Sequence, residues 1–284
     1  MLTVVSTSDP GRLVNLSCRA GVGTGANLLI AGFAVGGSGT SGQESLLVRA
    51  SGPALVPFGV GGTLPDPKLQ LYTGAGALLA TNSGWGGSAS IASTAAAVGA
   101  FAWTSPTSND AALLASQPAG PYTAQISGAS GDTGVSLAEV YDATPAGTYT
   151  VATPRLVNLS ARVQVGTGGN ILIAGFVIGG STSETVLVRA SGPALVPFGV
   201  TGTLADPKLQ LYTGSGTLLA TNNGWGGNPQ IASAASTVGA FGWSSATSND
   251  SAILVTLPPG AYTAQVSGAS GDTGVALVEV YEVH

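Results

Sequence analysis

Charged residues are scarce in this chain. They make up 7% of its 284 residues, the net charge at pH 7 is -5, and no basic cluster is present. A typical globular protein has about a quarter of its residues charged, and nucleic-acid binding needs clustered Lys and Arg. The composition therefore argues against a nucleic-acid partner. A surface with little charge is poorly protected against self-association, so we expect a protein that works in an assembly.

Histidine and cysteine are almost absent. The one histidine is His284, the last residue, where a frayed terminus cannot be held in catalytic geometry. Ser–His–Asp and Cys–His catalysis therefore lack a base, and a zinc site lacks ligands. The one cysteine, Cys18, cannot form an internal disulfide. We expect it to be a small buried apolar side chain, with an intermolecular bridge as the alternative.

Long apolar segments are also missing. The longest apolar run, near residues 28–35, is too short to cross a bilayer. The opening residues MLTVVSTSDP lack the basic and apolar regions of a signal peptide. Richness in Ser, Thr and Gly suits an extracellular protein, so we expect that a leader has been removed or that the chain is part of something longer.

The sequence consists mainly of two copies of one module. Residues 12–142 align with residues 155–282, and the twelve residues RASGPALVPFGV occur unchanged at Arg49–Val60 and Arg189–Val200. The sequence is therefore divided, in chain order, into an N-terminal extended segment (1–11), a first repeat (12–142), a linker with strand character (143–154) and a second repeat (155–284).

Each repeat has the pattern of about eight short strands separated by Gly, Pro and Ser clusters. NLLIAGFAV is a continuous apolar run that suits a strand buried on both faces, and KLQLYTGAGALLAT predicts a hairpin with its turn at Thr73–Gly76. Ser90–Trp103 is rich in Ala and predicts a short helix with Gly99 near its end. We therefore predict an all-β protein with two tandem jelly-roll-like antiparallel β-sandwich domains, each with at most one short helix.

The repeated phrase RASGPALVPFGV predicts a strand end followed by a lid. Gly52, Pro53 and Gly59 would turn the chain, and Leu55, Val56 and Phe58 would be buried over one open end of the sandwich. Burial of each such side chain contributes about 1.5–3 kcal/mol. This reading explains the identity of the two copies by packing, with a binding role as the alternative.

Two stretches carry a family resemblance. DPKLQLYTGSGTLLATNNGW, followed by LPPGAYTAQVSGASGDTGVALVEVYE, resembles bacterial pre-peptidase C-terminal-type domains and, more closely, the related modules repeated in large secreted bacterial surface proteins. The resemblance implies a β-sandwich, export to the bacterial surface or medium, and a structural or accessory role. Some relatives carry acidic pairs after the hairpin that suit calcium. Here those positions are Asn82-Ser83 and Asn222-Asn223.

The acidic residues inside each repeat recur in the other, and so do all the Arg and Lys residues. Because charges are so few, we expect each acid to have a basic partner, and Asp residues in SND and SGDTG to bind nearby backbone N–H groups in turns. No cofactor is expected; a weak calcium site is the alternative. Its candidate ligands are Asp110, Asp132, Asp250 and Asp272.

Aromatic residues are the candidates for ligand binding. Trp85, Trp225, Tyr72 and Tyr212 could form a platform for stacking on sugars. The alternative is that each Trp of the GWGG sequences is a loop anchor tucked inward, which is the reading we favour.

Two short segments are candidates for assembly. Residues 148–153 of the linker have strand character, and residues 2–8 occupy the matching place before the first repeat. A strand lent to a neighbouring molecule would give a head-to-tail homopolymer. The residues that would take part are Leu2, Val4, Val5, Tyr149 and Val151.

These patterns favour one function over another. We expect a non-catalytic, extracellular structural protein, such as a filament, coat or surface-stalk subunit, whose main partner is itself. The alternative is a carbohydrate-binding or adhesive module with polysaccharide as the partner. Nothing in the sequence suggests an enzyme or membrane insertion.

Overall fold

Strands dominate the structure, a computed structural model that describes residues 9–25 and 27–284. The strands of the first repeat are β1 (Arg12–Val22), β2 (Leu29–Gly36), β3 (Gln43–Ser51), β4 (Pro67–Thr73), β5 (Leu78–Asn82), β6 (Ala111–Pro118), β7 (Gly120–Gly128) and β8 (Gly134–Asp142). Those of the second are β9 (Arg155–Val165), β10 (Leu172–Gly179), β11 (Glu184–Ser191), β12 (Pro207–Thr213), β13 (Leu218–Asn223), β14 (Ser251–Leu257), β15 (Gly260–Gly268) and β16 (Gly274–Glu282). The all-β prediction is confirmed.

Helices are few and short. Each repeat has one α-helix, α1 (Ala89–Ala97) or α2 (Pro229–Thr237), inside the Ala-rich stretch where a helix was predicted. Ser88 and Asn228 cap their N-termini by accepting backbone N–H bonds. The remaining helical segments are 3-10 helices at Pro53–Phe58, Gly168–Asn170 and Pro193–Phe198.

The strands form two antiparallel sheets that pass through both repeats. Sheet one has the order β13-β12-β15-β10-β1-β8-β3-β6, and sheet two has the order β5-β4-β7-β2-β9-β16-β11-β14. Four neighbouring strands of each sheet come from one repeat and four from the other. A single bridge between Leu13 and Leu156 links the two sheets.

The repeats meet edge to edge. Strand β1 pairs with β10 through seven residue pairs from Arg12↔Gly179 to Arg19↔Ile173. Strand β2 pairs with β9 through seven from Ile30↔Arg162 to Gly36↔Arg155. Because β9 and β10 are the counterparts of β1 and β2, the two ladders are equivalent, and the repeats are related by an approximate two-fold axis.

The inward faces of the sheets form one hydrophobic core that contains residues of both repeats, among them Leu16, Phe33, Leu159 and Phe176. Cys18 belongs to this core and is fully buried, as expected. Strand β2 differs from the prediction, because buried residues alternate with half-buried ones instead of being buried on both faces. The outward face of β2 lines a shallow surface groove, so only one face of the strand is in the core.

Candidate functional site

A buried ion pair lies on the outward face of each repeat. Arg49 of β3 is opposite Glu139 of β8 in register, with 3.3 Å between Nε and Oε2. The hydroxyl groups of Tyr141 and Ser51 donate to the two carboxylate oxygens at 2.6 and 3.3 Å. Arg189 and Glu279 form the equivalent pair, at 3.6 Å between Nη1 and Oε2. The expectation of paired charges is met here.

Aromatic rings cover this pair. The guanidinium of Arg49 lies 4.4 Å from the ring centre of Phe101 and 4.2 Å from that of Trp103, and it donates to the carbonyl oxygen of Phe101. The Arg49 and Glu139 side chains are 0% and 2% exposed. Burial raises the pKa of Glu139, and the charge of Arg49 opposes that rise. The pair has no open side from which a substrate could reach it.

Asp110 supports the segment that follows β3. Its Oδ1 accepts backbone N–H bonds from Gly52 at 2.7 Å and Ala54 at 3.2 Å, and its Oδ2 accepts the Ser108 hydroxyl. Asp110 does accept backbone N–H bonds, as expected. The donors, however, are residues far away along the chain and not neighbours in its own turn. A Cβ on Gly52 would be 2.0 Å from the Leu64 carbonyl oxygen, so only glycine fits there.

The proposed calcium ligands do not converge in the described parts of the chain. Asp110 and Asp250 are fully buried with donors already on their oxygens. Asp132 is exposed and Asp272 half-buried, both in the turn before the last strand of a repeat. No group of three or more His, Cys, Asp or Glu residues suited to a metal ion occurs in residues 9–25 and 27–284.

The tryptophans form stacked pairs. Trp85 lies on Trp103 with ring centres 4.3 Å apart, and its Nε1 donates to the Ser105 carbonyl oxygen at 3.2 Å. Trp225 and Trp243 repeat this arrangement at 4.2 Å. Trp85 is 8% exposed and packs with Leu47 and Tyr141 on sheet one, as an inward anchor does.

Tyr72 and Tyr212 are not part of these pairs. Tyr72 is on β4 of sheet two, whereas Trp85 packs on sheet one. Tyr212, on β12, is likewise in the sheet opposite the one that Trp225 covers. The four candidate ligand-binding residues therefore do not share one surface.

The linker differs from the prediction. Residues 148–153 form turns, with the Thr153 N–H donating to the Thr150 carbonyl oxygen at 2.9 Å, and no strand is present there. Tyr149 packs beneath Arg12, 3.7 Å from its guanidinium, and Val151 is 60% exposed. The other assembly candidates, Leu2, Val4 and Val5, lie outside the described residues.

The segments before the repeats contact the opposite repeat. The Ala152 carbonyl oxygen accepts from the Ser41 N–H of the first repeat at 3.0 Å, and that of Asp9 accepts from the Ser181 N–H of the second at 2.8 Å. Asp9 and Ala152 are equivalent positions. The contacts thus follow the same approximate two-fold axis as the strands.

The lid prediction is half right. The 3-10 helices Pro53–Phe58 and Pro193–Phe198 bury Leu55 and Leu195. Val56 and Phe58, however, are 59% and 64% exposed. The helix lies against the outward face of sheet one, beside Ser17, Arg19 and Leu137, and not over an open end of the sandwich. Only one of its three large apolar side chains is therefore covered.

Exposed large apolar side chains are concentrated in a few places. Among the residues that the structure describes, four are Val56, Phe58 and their counterparts Val196 and Phe198, and one is Val151 of the linker. The others lie on the outermost strands of the two sheets, and they are Leu78, Leu79, Leu114, Leu218 and Leu219. Strands β5, β6, β13 and β14 contain no Asp, Glu, Lys or Arg. The sequence does not show which strands are outermost, so these edges could not be predicted from it.

A group of carboxylates lies where the repeats meet. Glu44 is buried beside Asp142, and burial together with that carboxyl group raises the pKa of Glu44 to about 9. In the second repeat, Glu282 pairs with Arg155 at 2.8 Å and also accepts the backbone N–H of Leu13 in the first repeat. The hydrogen bond from Leu13 to Glu282 therefore links the two repeats.

His284 differs from the expectation of a frayed terminus. Its Nε2 lies 3.0 Å from Glu282 Oε2, and the hydrogen bond with Glu282 raises the pKa of the imidazole. The side chain is half-exposed and its neighbours are the ion pair between Arg155 and Glu282, so it extends the same group of charges.

Comparisons with known proteins give little. No family model matches the chain, and no curated protein sequence is significantly similar to it. A solved structure described as "Crystal Structure of the STIV MCP" aligns over 97% of this chain and 96% of its own, with 11% identity and a TM-score of 0.25. A TM-score of 0.25 is too low to support a conclusion about the fold or the function of this chain. Among the described residues, no helix is long and apolar enough to cross a membrane.

Proposed function

We propose that this protein is a non-catalytic structural subunit that associates with copies of itself outside the cell, in a filament, coat or surface stalk. The observation that carries the proposal is the position of its exposed apolar residues. Of the large ones in residues 9–25 and 27–284, half lie on outer edge strands that bear no charge, and unprotected edges are the surfaces through which sheets associate.

The buried charges support a role without catalysis. Arg49, Glu139 and Asp110 use their charges and hydrogen bonds on one another, on backbone groups and on aromatic rings. Catalytic groups need access to a substrate, and these have none. The low charge of the whole chain, 7%, fits the same role and an extracellular location.

The test is self-association without any ligand. Purified protein should form particles larger than the single chain as its concentration rises, seen by light scattering and negative-stain electron microscopy. A chain that stays a monomer over the full range of concentration and salt would contradict the proposal. Glycan-array binding by that monomer would point instead to a carbohydrate-binding module.

A further inference from the structure

The junction between the repeats shows how this module joins another copy of itself. Two sandwiches meet edge to edge, and both sheets continue across the junction through seven residue pairs in each ladder. The joined strands are of two kinds: in both ladders a β1-type strand pairs with a β2-type strand. The module therefore already contains one self-complementary edge.

Each end of the molecule has a further pair of edge strands, one from each sheet. Strands β6 and β5 end the two sheets on the side of the first repeat, and β13 and β14 end them on the side of the second. Proteins usually protect such edges with charged side chains. These four strands carry none, and Leu79 and Leu219 are 43% and 46% exposed on them.

The strand directions fit a second copy. Neighbouring strands are antiparallel throughout both sheets. Each sheet has eight strands, so its first and last strands run in opposite directions. A copy placed at the end in the same orientation therefore brings β13 antiparallel to β6 in one sheet and β14 antiparallel to β5 in the other. Both new ladders would join a β5-type strand to a β6-type strand.

We propose, building on the proposed function, that copies of this chain join end to end through their outer edges, with β6 pairing with β13 and β5 with β14 of the next molecule. The partner is a second copy, and both sheets run on through it without a break. The strands then lie across the filament axis. With eight strands per sheet at a spacing of about 4.8 Å, each molecule adds about 38 Å of length.

The test places one lysine on an outer strand at each end, in the double variant Leu79→Lys with Leu219→Lys. We expect the polymers of the wild type to be replaced by monomers, because like charges and lysines at an edge prevent strand pairing. Either substitution alone should also give monomers, because every junction joins the β5/β6 end of one copy to the β13/β14 end of the next. Sedimentation velocity and electron microscopy give the sizes.

The matched control is Val151→Lys, which puts the same charge on an exposed apolar residue of the linker and should polymerise as the wild type does. Circular dichroism checks that each variant is folded. If the leucine variants do not fold, Thr81→Lys with Thr221→Lys tests the same two strands at exposed positions.

The outcomes separate this inference from the proposed function. Polymers that persist in folded double variants contradict the edge pairing and leave self-assembly standing, whereas a wild-type chain that never associates contradicts both. Helical reconstruction of wild-type filaments gives a second measurement. A rise of about 38 Å per chain with strands across the axis supports the inference, and strands along the axis overturn it.

Discussion

Arg49 and Glu139 face each other beneath the rings of Phe101 and Trp103, away from solvent. The sequence indicated that each acid would have a basic partner, because charges are few, but not that these two residues pair with each other. It did not indicate that Asp110 accepts the backbone N–H bonds of Gly52 and Ala54, because such contacts depend on how distant loops pack together. Nor did it show that the Trp85 ring is covered by Trp103.

The buried pair predicts a large effect of removing one partner. Arg49→Met should lower the free energy of unfolding by about 3–5 kcal/mol, because Glu139 is left buried without a counter-charge. Changing both, with Glu139→Leu, should recover part of that loss. Denaturant unfolding measures both variants, with half-buried Arg19→Met as the control. A loss below about 1 kcal/mol in the single variant would argue that the pair is not buried as described.

Glu44 predicts a pH dependence. Its pKa is raised to about 9 in the folded protein from an ordinary value of 4.5, first by burial and then by Asp142. Between these values the unfolded chain holds fewer protons. The stability from Glu44 is therefore full below pH 4.5, falls as pH rises and is lost above about pH 9. In Glu44→Gln, the free energy of unfolding should fall less between about pH 5 and pH 8. An unchanged slope in denaturant titrations would contradict this.

At the scale of elements, local signals gave good predictions where the chain folds on itself. The β4–β5 hairpin and the helix in the Ala-rich stretch lie where they were predicted. The linker prediction is wrong because a strand needs a partner edge. The nearby edges, on β1 and β2, are already paired with β10 and β9, so Thr150 and Thr153 close a turn instead.

The 3-10 helix predicts opposite results for adjacent residues. Leu55 is 4% exposed and Val56 is 59% exposed. Leu55→Ala should lower the free energy of unfolding by about 2–5 kcal/mol because it leaves a cavity. Val56→Ala should change it by less than about 0.5 kcal/mol. Thermal and denaturant unfolding can compare the two, with Leu195→Ala and Val196→Ala as the same pair in the second repeat. Equal effects would mean that the helix packs differently.

At the scale of the whole molecule, the sequence predicted two sandwiches in tandem, and the structure joins them in continuous sheets. The duplication itself was plain, but an edge strand of one repeat could pair with its own repeat or with its twin. Both choices satisfy the same alternation of apolar residues. Which edges remain outermost follows from that choice, so the candidate assembly surface could not be predicted either.

The ladders between the repeats predict that the linker is dispensable once the protein has folded. A protease site placed after Gly147, in the exposed turn of the linker, should allow cleavage into two halves. The halves should still elute together in size-exclusion chromatography, because β1·β10, β2·β9 and the shared core hold them. Separation under native conditions would contradict the joined sheets.

The core shared by the repeats also determines how the protein should melt. Leu16 and Phe33 of one repeat belong to the same apolar cluster as Leu159 and Phe176 of the other, so loosening one half exposes side chains of its twin. Although the sequence is a tandem duplication, the protein should therefore unfold as one cooperative unit. Scanning calorimetry should show a single peak whose measured enthalpy equals the van't Hoff enthalpy, and two resolved peaks would show that the halves are thermodynamically independent.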